Sequence, residues 1–162
     1  MSRTRRRPGV RVGIVVLVLM ALLGGAYLVG YRVNLQTQSV PLPGASATPD
    51  QVVMTYVDAY NYRDFTTLDT IYPAMTGAHS RLRAMGTLRD VEITRSYAAS
   101  AEDMSGKHPK VGHDYAIVGV VVNFTGLTGS DLALAPGRNG WNYWLERSDP
   151  GQPWTIIDSG NG

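Results

Sequence analysis

Cysteine is absent from all 162 residues of the chain. That excludes a disulfide framework, a thiolate zinc site, a cysteine nucleophile and a lipid-modified cysteine. Charge is scarce as well, with Asp, Glu, Lys and Arg at 17%, against ~25% in an average soluble protein. Acids are missing altogether from residues 1–32, which carry six arginines. Residues 48–162 carry nine Lys or Arg against thirteen Asp or Glu, a net charge of −4. The basic excess belongs to the tail, so nucleic acid is not an expected partner of the rest, which would need that excess on its own surface. There is no G-x-S-x-G, no phosphate-cradling loop and no D-x-D-x-D-G calcium loop. The three histidines, His79, His108 and His113, match no zinc spacing. No metal and no cofactor are expected.

What is present begins with an apolar run. Val12 to Tyr31 is twenty residues without Asp, Glu, Lys, Arg or His. As a helix at ~1.5 Å per residue it covers ~30 Å, the thickness of a bilayer's hydrocarbon core. Five arginines precede it. The positive-inside rule then makes residues 1–11 a cytoplasmic tail, residues 12–31 a single transmembrane helix and everything beyond exported. The rival reading is a cleaved secretory signal. Against it, the apolar run continues through Tyr27-Leu28-Val29, past the small residues Gly24-Gly25-Ala26. Ala21 with Gly25 and Ala26 with Gly30 are small-xxx-small pairs that permit a homodimer through the span. Residues 32–47 come next, charge-free after Arg32 and holding Pro41, Pro43 and Gly44. They read as a partly extended linker that lifts the next domain off the membrane.

Residues 48–162 read as one extracytoplasmic domain. Thr48-Pro49-Asp50-Gln51 combines a cap, a proline at the first helical position and a T-x-x-Q capping box. Val52, Val53, Tyr56, Val57 and Tyr60 then recur at helical spacing. After a break at Asn61 to Asp64, Phe65, Leu68, Ile71 and Tyr72 supply a shorter helix ended by Pro73. A third short helix is expected around His79 to Met85. Beyond Gly86 the period changes to two, and Val91, Ile93 and Tyr97 alternate with Asp90, Glu92, Thr94 and Ser96. Tyr115 to Thr125 reads as a central strand buried on both faces. Trp141, Tyr143 and Leu145 mark a third strand, paired as a hairpin with a closing strand from Trp154 to Asp158. The fold class is α+β, with two to three helices packed on a curved, mainly antiparallel four-stranded sheet.

The order of elements, with VVMTYVDAYNYRDFTTLDTIY at the start and PWTIIDSGNG at the end, resembles the nuclear transport factor 2-like superfamily. That resemblance implies a cone-like domain with a cavity between helices and sheet. Enzymes of the superfamily, isomerases and cyclases, place acids, tyrosines or histidines in that cavity. No position here matches a catalytic residue of those enzymes. The residues that could serve are Asp158, on strand parity with Trp154 and Ile156, Tyr143 or Tyr97 as its partner, and Arg95, which would share a face with Val91, Ile93 and Tyr97 and hold an anion or pair with Asp58 or Asp69. Each also has a plain structural reading, as a capping aspartate, a core aromatic and a snorkelling arginine. The chain with its short arginine-rich tail also resembles accessory and scaffold proteins of bacterial envelope systems, of the secretion, conjugation and lipid-import kind. The expected function is therefore a non-enzymatic accessory component whose partners are the membrane and other envelope proteins. The alternative is a membrane-tethered small-molecule binder, or a cyclase-like or isomerase-like enzyme.

Overall fold

A computed structural model describes residues 8–28, 34–76, 86–100, 102–126 and 134–161. Helix α1 spans Pro8–Leu28, α2 Pro49–Asn61 and α3 Phe65–Ile71, followed by a 3-10 turn at Pro73–Met75. The strands are β1 Leu88–Ala98, β2 Asp114–Phe124, β3 Gly137–Arg147 and β4 Thr155–Gly160. The strands form one antiparallel sheet in the order β1-β2-β3-β4. The α+β architecture and the closing hairpin are thus as the sequence implies. The third helix expected over His79 to Met85 lies outside the described residues.

Helix α2 begins where its capping box sits. The Thr48 hydroxyl accepts from the Gln51 N–H, and the Gln51 side chain accepts from the Thr48 N–H at 2.9 Å. The two contacts satisfy donors that no helical carbonyl can reach. Asp64 repeats the device for α3 by accepting from the Thr67 N–H. The apolar stripe of α2 is buried against the sheet, and each large side chain so buried contributes roughly 1.5–3 kcal/mol. On the sheet this inner face consists of Ala116, Val118, Val120, Val122 and Phe124 with Trp141, Tyr143 and Leu145. Residues of the opposite parity on β2, among them Tyr115 and Ile117, are buried too, as befits a central strand. Strand β1, at one edge of the sheet, follows the expected alternation only at first. Val91 and Ile93 are half-buried on the core between exposed Asp90, Glu92 and Thr94, and from Thr94 to Ala98, Tyr97 included, every residue is exposed.

The apolar segment is helical, and its large side chains from Val12 to Leu28 are 51% to 86% exposed. Among the described residues no helix is long and apolar enough to cross a membrane. Described side chains of α1 begin only at Val12, and residues 29–33 lie outside the described part. The transmembrane helix expected over residues 12–31 is therefore not shown as such.

The linker departs from the expected spacer. Residues 34–47 lie along the α2–α3 pair and are bonded to it. Asn34 donates to the Asn61 carbonyl, and the Gln38 N–H donates to the Tyr62 carbonyl at 3.1 Å. The Val40 N–H donates to Asp64 at 2.9 Å, and the Val40 carbonyl accepts from the Thr67 hydroxyl at 2.9 Å. Val40 and Ala47 pack on the core. Two prolines stiffen a segment whose backbone groups find partners on the domain instead of water.

Candidate functional site

The interior, where a catalytic cavity would lie, is occupied by aromatic side chains. Tyr56 of α2 meets Tyr143 of β3 edge-on at 5.6 Å between ring centroids, and Tyr72 at 6.0 Å. Tyr143 is 1% exposed. Burial pushes its phenol well above the ordinary tyrosine value, with smaller contributions from Tyr72 and Tyr60. Burial also raises Tyr72, whose hydroxyl donates to Ser159 at 3.4 Å. Both phenols stay protonated at neutral pH and are poor bases. The Trp141 indole N–H is buried without a hydrogen-bond partner among the described residues. Clefts among the described residues include one of about 610 Å³ beside Asn61 and Arg89, one of about 540 Å³ beside Arg95 and Asn142, one of about 310 Å³ beside Arg63 and Asp64, and a niche of about 110 Å³ beside Leu42 and Trp154. None of these takes in Tyr143.

Asp158 and Arg95 are not beside Tyr143, and one physical cause explains both. Each comes just after an irregularity in its strand's pairing. In β1 the partners run Ile93↔Val120 and then Arg95↔Gly119, so Thr94 is an extra residue. In β4 they run Leu145↔Ile156 and then Trp144↔Asp158, so Ile157 is extra. An inserted residue shifts the two-residue period by one and sends the residues after it to the other face. Ile93 and Ile156 point inward, whereas Arg95, Tyr97 and Asp158 lie on the face away from the helices. Val91 and Ile93 pack on the core and do not share a face with Arg95 and Tyr97.

On that outer face each candidate has a partner. Arg95 neither pairs with Asp58 nor with Asp69. Its Nη2 donates to the buried Asn142 side chain at 2.7 Å, and its stem crosses Gly119, where a Cβ would stand 2.7 Å from Arg95 Cγ. Asp158 is ion-paired with Lys107, whose ammonium also sits 4.3 Å from the Trp144 ring centroid. The loop holding Lys107 has a second fastening. Buried Glu146 accepts from Lys110 at 2.7 Å and lies 2.5 Å from His113 Nδ1. The hydrogen bond to Glu146, helped by its charge, holds the Lys110 ammonium above its ordinary value. Met104 of the same loop is fully buried, apart from the main core. From sequence alone this loop reads as a polar connection, because its partners Glu146 and Asp158 lie more than thirty residues away. Among the described residues no three His, Cys, Asp or Glu side chains come together to hold a metal ion.

The corner between α2 and α3 gathers several hydrogen bonds, to Asn34, Gln38 and Val40 of the linker among them. Arg63, at φ 56°, reverses the chain there, and its guanidinium lies over the Phe65 ring and reaches the Asn34 carbonyl. Burial would raise the Asp64 carboxyl, but hydrogen bonds from Val40, Thr67 and Thr66 outweigh it and hold the group below its ordinary value. Asp64 thereby joins the linker to the start of α3. Comparison of the chain with protein-family models, with curated proteins and with solved structures finds no match.

Proposed function

We propose that the chain is a non-enzymatic accessory or scaffold domain, held outside the cytoplasm by a single N-terminal membrane anchor and acting within a cell-envelope assembly. One observation carries this reading. The large side chains of α1 are apolar and exposed all round, next to a domain that fills its own core. A helix apolar on every face belongs in a protein core or in a bilayer, and α1 has no core of its own. The arginines before Val12 orient it with the N-terminus in the cytoplasm. Helices on one face of a four-stranded antiparallel sheet support the proposed likeness to nuclear transport factor 2-like domains. The accessory role is supported by Asp158 and Arg95, which lie across the sheet from Tyr143 and are held by Lys107 and Asn142. Partner proteins then meet the exposed edge strand β1 and the loop over residues 102–113, and α1 offers Ala21 and Gly25 to a second copy.

The test has two arms. A reporter fused after Gly162 is active outside the cytoplasm, and the full-length chain resists carbonate extraction from membranes; a soluble processed form overturns the anchor. Crosslinking to envelope partners is lost on reversing Glu92 or substituting the 102–113 loop, and survives Arg95→Met. A function that needs Tyr143 but tolerates every surface change overturns the accessory role. The unpartnered Trp141 N–H favours the ligand-binding alternative, and apolar ligands that raise the melting temperature of the domain would support it.

A further inference from the structure

The bonded linker changes where the domain stands. Were residues 29–47 free, the chain between Leu28 and Thr48 could extend to roughly 65 Å. Because the linker is fastened from Asn34 onward, only residues 29–33 remain between α1 and the fold, and these reach at most roughly 20 Å. The point of departure is defined too. Asn34 is bonded at the corner over residues 61–64, and Asn61 is in turn bonded to Leu88 at the start of β1. The end of the sheet formed by Leu88, Phe124 and Gly137 is therefore next to the tether. The other end, with the β3–β4 turn, lies a strand length away, roughly 33 Å for β2.

From this placement, which rests on α1 being the anchor, we infer that the end of the domain holding residues 61–64 is a membrane-facing surface that contacts phospholipid headgroups. The cleft of about 610 Å³ opens there, lined by Asn34, Gln36, Asp58, Asn61, Thr87 and Arg89 among others. Arg89 is exposed and has no ion pair among the described residues, so its guanidinium is available to a headgroup phosphate. Asp58 is exposed on the same cleft and suits the ammonium of a zwitterionic headgroup. The amides of Asn34 and Gln36 add hydrogen-bonding capacity. The occupant that matches both charges and the short tether is the bilayer surface itself.

The absence of cysteine makes the test direct, because single cysteines can be introduced for labelling without background. The full-length chain with Thr37→Cys near the corner, or Gln152→Cys in the far turn, is labelled with a fluorophore. It is reconstituted into phosphatidylcholine–phosphatidylethanolamine vesicles containing a lipid with a nitroxide on its headgroup. Label at position 37 is expected to be quenched several-fold more strongly than label at 152. Either Arg89→Glu or a Gly-Ser spacer inserted between residues 33 and 34 is expected to weaken the quenching at 37. Failure of the protein to float with the vesicles overturns the anchor reading, and this inference with it. Flotation with equal quenching at both positions overturns the inference alone, as does quenching at 37 that survives both changes.

Discussion

The side chain of Asn61 forms both hydrogen bonds that a neighbouring strand would form with Leu88. Its Nδ2 donates to the Leu88 carbonyl at 2.8 Å, and its Oδ1 accepts from the Leu88 N–H at 2.8 Å. A single amide at the end of α2 thus imitates a peptide group and closes the open edge of β1 at its first residue. Exposed edges invite pairing with other chains. Asn61→Ala is expected to destabilise the domain by about 1–3 kcal/mol, since two partly buried backbone groups lose their partners. Asn61→Asp keeps the acceptor and loses the donor, and is expected to fall between the two. Urea unfolding reads the loss, and light scattering reads any self-association of the freed edge.

Asp64 links the pH to the linker. Its carboxyl is held below the ordinary value of 3.8, so the folded state favours the ionised form. A lowered carboxyl contributes stability that is present above the ordinary value and is lost as pH falls through the folded one. Protease susceptibility within residues 34–47 is expected to rise below about pH 3.8 in the native chain. In Asp64→Ala it is expected to be high at every pH, with a stability loss of about 1–2 kcal/mol for the missing cap. Linker cleavage that is unchanged in the variant would show that Asp64 does not hold the segment.

Trp154, 7% exposed, packs in the core just before β4 and carries the Arg147 guanidinium 4.5 Å above its ring. Trp154→Ala is expected to cost about 3–5 kcal/mol in chemical denaturation. A loss under about 1 kcal/mol would mean that the closing strand contributes little to the core. Arg147→Ala removes only the cation over the ring and the partly exposed pair with Asp114, and is expected to cost under about 1 kcal/mol.

Gly119 and Arg95 are expected to be coupled. A Cβ at 119 collides with the Arg95 stem and stands 3.0 Å from the Asn142 oxygen. Gly119→Ala is expected to cost about 1–3 kcal/mol through overpacking. With Arg95→Ala already present most of that cost should vanish, giving a coupling of about 0.5–3 kcal/mol in a double-mutant cycle. Additive effects would show that Arg95 does not rest on the glycine.

The legible parts of the fold are those written in neighbouring residues. Thr48 and Gln51 are three apart and announce α2 unaided, and the unbroken β-branched run of β2 announces a strand covered on both sides. The face of a strand residue is different, because parity holds only while the register is uninterrupted. Thr94 and Ile157 are ordinary β-branched residues, and nothing local marks them as the ones that break register. Their effect on Arg95 and Asp158 is decided by the partner strand. Asp90, at φ 51°, sits in a further irregularity of β1, and Asp is among the residues that tolerate that conformation. That hint is weak. The bonded linker was illegible for a related reason, since an extended segment has no period and finds its partners 24 to 29 residues away.

The direction in which the linker runs also decides how the molecule responds to tension. It starts at the C-terminal end of α2 and returns toward the helix's beginning at Thr48. A pull delivered through α1 therefore loads the Asn34 contacts first, then Gln38 on Tyr62, then Val40 on Asp64 and Thr67. Bonds loaded in succession peel one at a time, at lower force than the same bonds sharing a load in shear. The segment would lengthen reversibly by a small local opening while the core holds, the least stable unit yielding before the most stable one. Under any load applied through α1, the linker is thus a compliant element placed in series with a stiff one.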